Sequence, residues 1–91
     1  MALTKETVVD KIEVLEMGQV QVRTATRVKE DGAVLSSSFH RHVVEPSTKA
    51  SGSWADTDIS GEDARVQAIA NATWTDLVKT AYQAMIDAQA L

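Results

Sequence analysis

From residue 20 to residue 28 the chain places a β-branched residue at every second position. Val20, Val22, Thr24, Thr26 and Val28 alternate with Gln21, Arg23, Ala25 and Arg27. A period of two in such residues is the mark of a strand with one buried face. Asp31-Gly32 follows, and this pair favours a type I′ hairpin turn, which needs positive φ at both central positions. A regular hairpin through that turn sets Val28 opposite Leu35, Thr24 opposite Phe39 and Val20 opposite Val43. All six then share one face, so residues 8–44 read as three antiparallel strands. The first hairpin admits two loops. A two-residue Met17-Gly18 turn would pair Val14 with Gln21 and misplace Ile12 and Val14. A three-residue Glu16-Met17-Gly18 loop pairs Val14 with Val20 and Ile12 with Val22, and puts Gly18 at the left-handed position that this loop type requires. The second loop is preferred.

Residues 45–60 read as a linker, opened by Glu45-Pro46 and rich in Ser, Thr, Gly and Asp. Pro46 cannot donate to a ladder and ends the third strand. Ser60 reads as a helix N-cap, with Glu62 and Asp63 in a first turn where the helix dipole favours them. That helix runs to about Asn71, with Val66, Ile69 and Ala70 on one face. A second starts at Thr73 to Asp76, and Trp74, Leu77, Val78, Ala81, Tyr82, Met85 and Ile86 form its apolar stripe. The expected fold is α+β, a three-stranded antiparallel β-meander followed by two helices packed on one sheet face. Residues 1–91 make one domain, with the meander at 8–44, the linker at 45–60 and a helical hairpin at 61–90.

A domain of 91 residues buries only about 60% of its unfolded surface, so its margin is thin. Apolar residues make up 44% of the chain, but Val, Ala and Ile must fill a core served by four aromatic rings. Such cores often rely on a partner, and oligomerisation is expected. There is no cysteine, which removes disulfides and thiolate metal sites. The start of the chain is polar by residue 4 and no apolar run approaches a membrane span, so a soluble product made in a cytoplasm is expected. The net charge of −4 sits entirely in residues 45–91, where seven acidic groups outnumber three basic ones; residues 1–44 balance at six of each. A global field of this sign repels nucleic acid.

Chemistry-bearing residues are few. His40 and His42 fall on one face of a strand and could share a metal, with Glu13 as a third ligand. Two ligands are too few, and a polar, solvated or interface face is the favoured reading. Arg41 then points to the apolar side opposite Val22, where a buried guanidinium needs a partner. Glu62 and Asp63 are the expected partners, in a clamp joining sheet to helix. Ser36, Ser37 and Ser38 lack an orienting acid, and no Gly-rich phosphate loop exists, so neither an enzyme nor a cofactor is expected. Arg23, Arg27 and Lys29 line one outward stripe beside His40 and His42. Without interleaved aromatics, that stripe reads as a solvated or protein-contacting face before a nucleic-acid grip. Trp54 reads equally as an exposed interface anchor or as a ring folded back on the core. Trp74 reads as core.

Five segments together resemble a group of small proteins of tailed bacteriophages. They are Met1-Ala2-Leu3-Thr4-Lys5, Val9-Asp10-Lys11-Ile12-Glu13-Val14, Glu30-Asp31-Gly32, Phe39-His40-Arg41-His42-Val43 and Asp63-Ala64-Arg65-Val66. The stretch from Ser47 to Ile59 departs from that group, being longer and carrying Trp54. The resemblance implies a phage origin and a place in the virion, in its tail or neck, with copies of itself and other virion proteins as partners. It carries over no functional residue. An accessory role as an assembly chaperone or an inhibitor of a host protein, through the acidic helical half, is the alternative.

Overall fold

The computed structural model describes residues 2–89. Strands β1 (Leu3–Val14), β2 (Val20–Glu30) and β3 (Ala33–Val44) form one antiparallel sheet in the order β1-β2-β3. Helices α1 (Ala64–Thr73) and α2 (Asp76–Gln89) follow it, so the fold is α+β. The expected end of the helical segment at residue 90 lies outside the described residues.

The β1–β2 hairpin has the three-residue loop. Val14 stands opposite Val20 and Ile12 opposite Val22, Leu15 N–H donates to Gln19 O at 2.8 Å, and Gly18 has φ +89°. Strand β1 begins at Leu3, earlier than expected. A β-bulge at Asp10, between Val9 and Lys11, lets both Val9 and Ile12 face the helices although they are three positions apart.

The second hairpin turns at Asp31-Gly32, both with positive φ, and starts in the expected register with Glu30 opposite Ala33 and Lys29 opposite Val34. A second bulge, at Leu35, then advances β3 by one residue. Val28 pairs with Ser36, Thr24 with His40, Val22 with His42 and Val20 with Val44. The pairs expected for Val28, Thr24 and Val20 are therefore all displaced by one. The physical reason is the charge on Arg41. A regular ladder would set it against Val22 on the helix-facing side, in the partly covered place that His42 takes instead, where a guanidinium loses part of its hydration. The bulge puts Val44 into the core instead and turns Arg41 to solvent.

Residues 45–60 are not an irregular linker. They contain a second small sheet, β4 (Ser47–Ala50) and β5 (Ser53–Asp56), joined by a Ser51-Gly52 turn. Helix α1 starts later than expected. Asp63, not Ser60, is its N-cap, accepting from Arg65 N–H at 2.8 Å. Trp74 closes α1, and the Thr75 hydroxyl accepts from Val78 N–H at 3.3 Å at the start of α2.

The core lies where the helices cross one end of the sheet. Val20, Val22 and Val44 pack against Val66, Ala70 and Trp74, with Val9, Ile12, Ile59 and Val78 around them. Trp74 Nε1 donates to Gly18 O at 2.7 Å, tying α2's entry to the first hairpin. Beyond Thr24 the sheet runs on without helices. The molecule measures 57 × 26 × 23 Å with a radius of gyration of 17.0 Å, where a compact chain of this length would have about 12 Å.

Candidate interaction surface

Three regions hold the residues singled out in the sequence: the open face of the sheet, its helix-facing side, and the β4–β5 hairpin against α2.

On the open face, the Asp10 bulge aims a carboxylate across the sheet. Arg23 donates from Nε and Nη2 to its two oxygens at 2.9 and 2.8 Å, and Arg27 Nη2 lies 3.9 Å away. The bidentate arginine holds the Asp10 carboxyl below its usual range, against the opposing effect of burial. Lys29 Nζ pairs with Glu6 at 2.7 Å and lowers that carboxyl too. The cationic stripe of Arg23, Arg27 and Lys29 is thus matched by acids from β1, which the sequence reading did not pair with it. Beneath the ion pairs, Ala25 is fully buried between Val8 and Phe39. The Arg23 guanidinium stacks 4.5 Å from the Phe39 ring centre. A cleft of about 160 Å³ lies at the core end of this face, lined by Lys11, Glu13, Arg23 and Arg41 among others.

His40 and His42 are not on this face. The Leu35 bulge moves them to the helix-facing side, together with Ser36 and Ser38. Their rings lie 6.2 Å apart, and His42 Nε2 is hydrogen-bonded to Glu62 Oε1 at 2.7 Å. Glu13, proposed as a third metal ligand, is opposite Gln21 on the open face. No group of three or more His, Asp or Glu side chains suited to a metal occurs among the described residues.

Arg41 is exposed, stands opposite Arg23 and makes no ion pair among the described residues. The expected clamp from Arg41 to Glu62 and Asp63 is therefore corrected. Glu62 is held by His42, the next residue along β3, and Asp63 caps α1 with Arg65 Nε at 3.6 Å. The link between β3 and the approach to α1 exists, displaced by one position by the bulge.

Trp54 lies on β5 and folds back on α2. Its ring meets Tyr82 edge-on, centroids 6.2 Å apart. Its Nε1 donates to Asp87 Oδ2 at 3.4 Å, and Lys49 Nζ pairs with the same carboxylate at 2.8 Å. Tyr82 is buried, and burial together with the Glu45 carboxylate beside it pushes its hydroxyl up to about 12. Of the two readings open for Trp54, its placement is that of a half-buried packing residue.

Larger uncovered apolar side chains lie elsewhere, and Leu77 on α2, expected in that helix's apolar stripe, is the most exposed of them at 80%. On β3, Val34, Leu35, Phe39 and Val43 are each about half exposed, as are Leu3 and Val14 on β1. Residues 33–41 are exposed without interruption. The signal for this was present in the sequence, since one helical hairpin of about 25 residues cannot cover strands of 11 and 12 residues end to end.

Compared with known proteins, the chain matches no family model, no curated protein and no solved structure.

Proposed function

We propose that this chain is a bacteriophage virion structural protein, a tail or neck component that works by protein–protein contact in a multimeric assembly rather than by catalysis. The observation that carries the reading is the uncovered half of the sheet. Its strands run well past the helices, both faces are open, and Leu3, Val34, Leu35 and Phe39 stand in solvent. Val34, Phe39 and Val43 stand on one face of one strand, and uncovered apolar side chains gathered on one face are a common mark of a partner's contact. The five phage-like segments support the same reading. Three of them reach the two outer strands: residues 3–5 of the first segment and residues 9–14 lie on β1, and residues 39–43 lie on β3.

Mass spectrometry of purified particles, with antibody labelling to place the chain in tail or neck, tests the proposal. Recovery in several copies per particle is the expected result. Particles that form normally and lack the chain would overturn it in favour of an accessory phage role. The nucleic-acid reading has less support, because Arg23, Arg27 and Lys29 already pair with Asp10 and Glu6, which leaves Arg41 as the open-face arginine without an ion pair among the described residues. A gel shift at low salt that disappears with salt is the outcome that would revive it.

A further inference from the structure

The two edges of the main sheet are guarded very differently. Strand β1 carries Lys5, Glu6, Asp10, Lys11 and Glu13 and is kinked by the bulge at Asp10. Charges and bulges of this kind keep an edge from pairing with another strand. Strand β3 carries one formal charge, Arg41, with no acid, lysine or proline between Ala33 and Val44. Its bulge sits at Leu35, close to the turn, which leaves residues 36–44 as an uninterrupted edge about 30 Å long. That edge is bare, and the apolar side chains of Val34, Phe39 and Val43 flank it on the open face.

From this asymmetry we infer that β3 pairs antiparallel with β3 of a second copy of the chain across a two-fold axis, forming a six-stranded sheet. The inference rests on the reading of the uncovered half-sheet as a contact surface, and it names the occupant. Closure favours a second copy over other strands. When two β3 edges meet, the outer strands of the joined sheet are both β1, so no unguarded edge remains and growth stops at two. A head-to-tail union of β3 with β1 would always leave one β3 bare unless the copies closed into a ring. Charge agrees with the choice. Antiparallel registers centred on residues 38 to 40, near the middle of that edge, set Arg41 opposite Leu35, Ser37 or Phe39, none of them charged, and never opposite its own mate. Residues on the open face of one copy meet open-face residues of the other, so a register centred on Phe39 would place the two Phe39 rings side by side.

The chain has no cysteine, so single-cysteine variants report pairing directly. Ser37→Cys, Ser38→Cys, Phe39→Cys and His40→Cys are compared with Thr7→Cys on β1 under mild oxidation. Sedimentation equilibrium of the unmodified chain gives its mass. The expected results are a dimer and intermolecular disulfides that peak sharply at one β3 position. The double variant S36K/S38K should self-associate roughly 10²-fold more weakly, with its circular dichroism and tryptophan fluorescence unchanged. A monomer at every concentration would overturn the inference. So would disulfides that form as fast at Thr7→Cys, or a dimer indifferent to S36K/S38K. The outcome separates from the fate of the proposed function. A monomeric chain found in particles removes the β3 pairing alone, and a β3-paired dimer absent from particles removes the virion assignment alone.

Discussion

At its Val20 end the sheet is sealed by Val66, Ala70 and Trp74; at its Glu30 end the same three strands stand with both faces in water. The covered end is held by apolar burial, the large term in folding. The open end is held by its ladder, a tight turn, the Asp10–Arg23 and Glu6–Lys29 ion pairs and one small apolar layer of Val8, Ala25 and Phe39. Partly exposed ion pairs contribute little each. The comparison teaches that the fold is decided at one end, while the other end is carried as a platform whose side chains are not committed to stability.

Matched truncations break or sharpen that contrast with the largest effect. Trp74→Ala empties the core and strands the Gly18 carbonyl, and should lower stability by roughly 3–5 kcal/mol, a large share of any small domain's total. Phe39→Ala removes a ring that is half exposed and should cost only about 0.5–1 kcal/mol, chiefly the lost stacking with Arg23. Urea denaturation measures both. Equal losses would mean that the open end is part of the core.

Two glycines repeat the test on the backbone. Gly18 and Gly32 have nearly the same φ, +89° and +88°, so alanine strains each turn by about 1–2 kcal/mol. At Gly32 an added Cβ meets nothing within 4 Å, but at Gly18 it would lie 2.5 Å from Val78 Cγ1 and 3.1 Å from Pro46 Cγ. Gly18→Ala should therefore cost about 1–3 kcal/mol more than Gly32→Ala, because the core must also move. Thermal melts of the pair report the difference.

The open strands and the contact of α2 with the β4–β5 hairpin should also fail at opposite extremes of pH. The Tyr82 hydroxyl is raised to about 12, so from pH 10 to 12 the unfolded chain gives up a proton that the folded one keeps. Stability from this group is whole below pH 10 and falls by on the order of 2 kcal/mol by pH 12. Asp10 and Glu6 are lowered by their arginine and lysine partners. Their contribution is present above about pH 4 and is lost as pH falls through the folded values. Titration followed by amide resonances should show the open strands loosening first in acid, and the Tyr82 region first in alkali.

How much of this was legible in the residues follows the same division. The β1–β2 register could be read because Val20 and Val22 are core, Ile12 packs against them and Val14 shares their face at the sheet's rim, so only one loop length aligns the four. The β2–β3 register was misread because Leu35 and Phe39 look like core residues, yet they lie beyond the reach of the helices and constrain nothing. The residue that decides is Arg41, which the extra residue at Leu35 turns away from the helix-facing side, since either Val43 or Val44 would fill the place opposite Val20. The hairpin at Ser47–Asp56 was hidden by its brevity, two four-residue strands in a Ser-rich stretch whose partner surface, Tyr82 and Asp87, is distant in the chain. The acids that neutralise Arg23 and Lys29 were hidden by the Asp10 bulge, which switches β1's parity.

The smallest expected effect is the sharpest test of the bulge. If β3 ran in a regular ladder, Arg41 would take the partly covered place opposite Val22 and beside Glu62 that His42 holds, and removing it would cost about 1.5–3 kcal/mol. With the bulge, Arg41 is exposed and without an ion pair among the described residues, so Arg41→Ala should change stability by no more than about 0.5 kcal/mol. His42→Ala severs the hydrogen bond to Glu62 and should cost about 1 kcal/mol. Deleting Leu35 completes the argument. Because Val28 already pairs with Ser36 and Lys29 with Val34, losing the bulged residue leaves every other partner in place and makes the ladder regular. The deletion should keep Val44 opposite Val20 and leave the melting temperature within a few degrees. A large loss from Arg41→Ala, or unfolding on deletion of Leu35, would show that β3 sits in the regular register and that its charge, not its last valine, faces the helices.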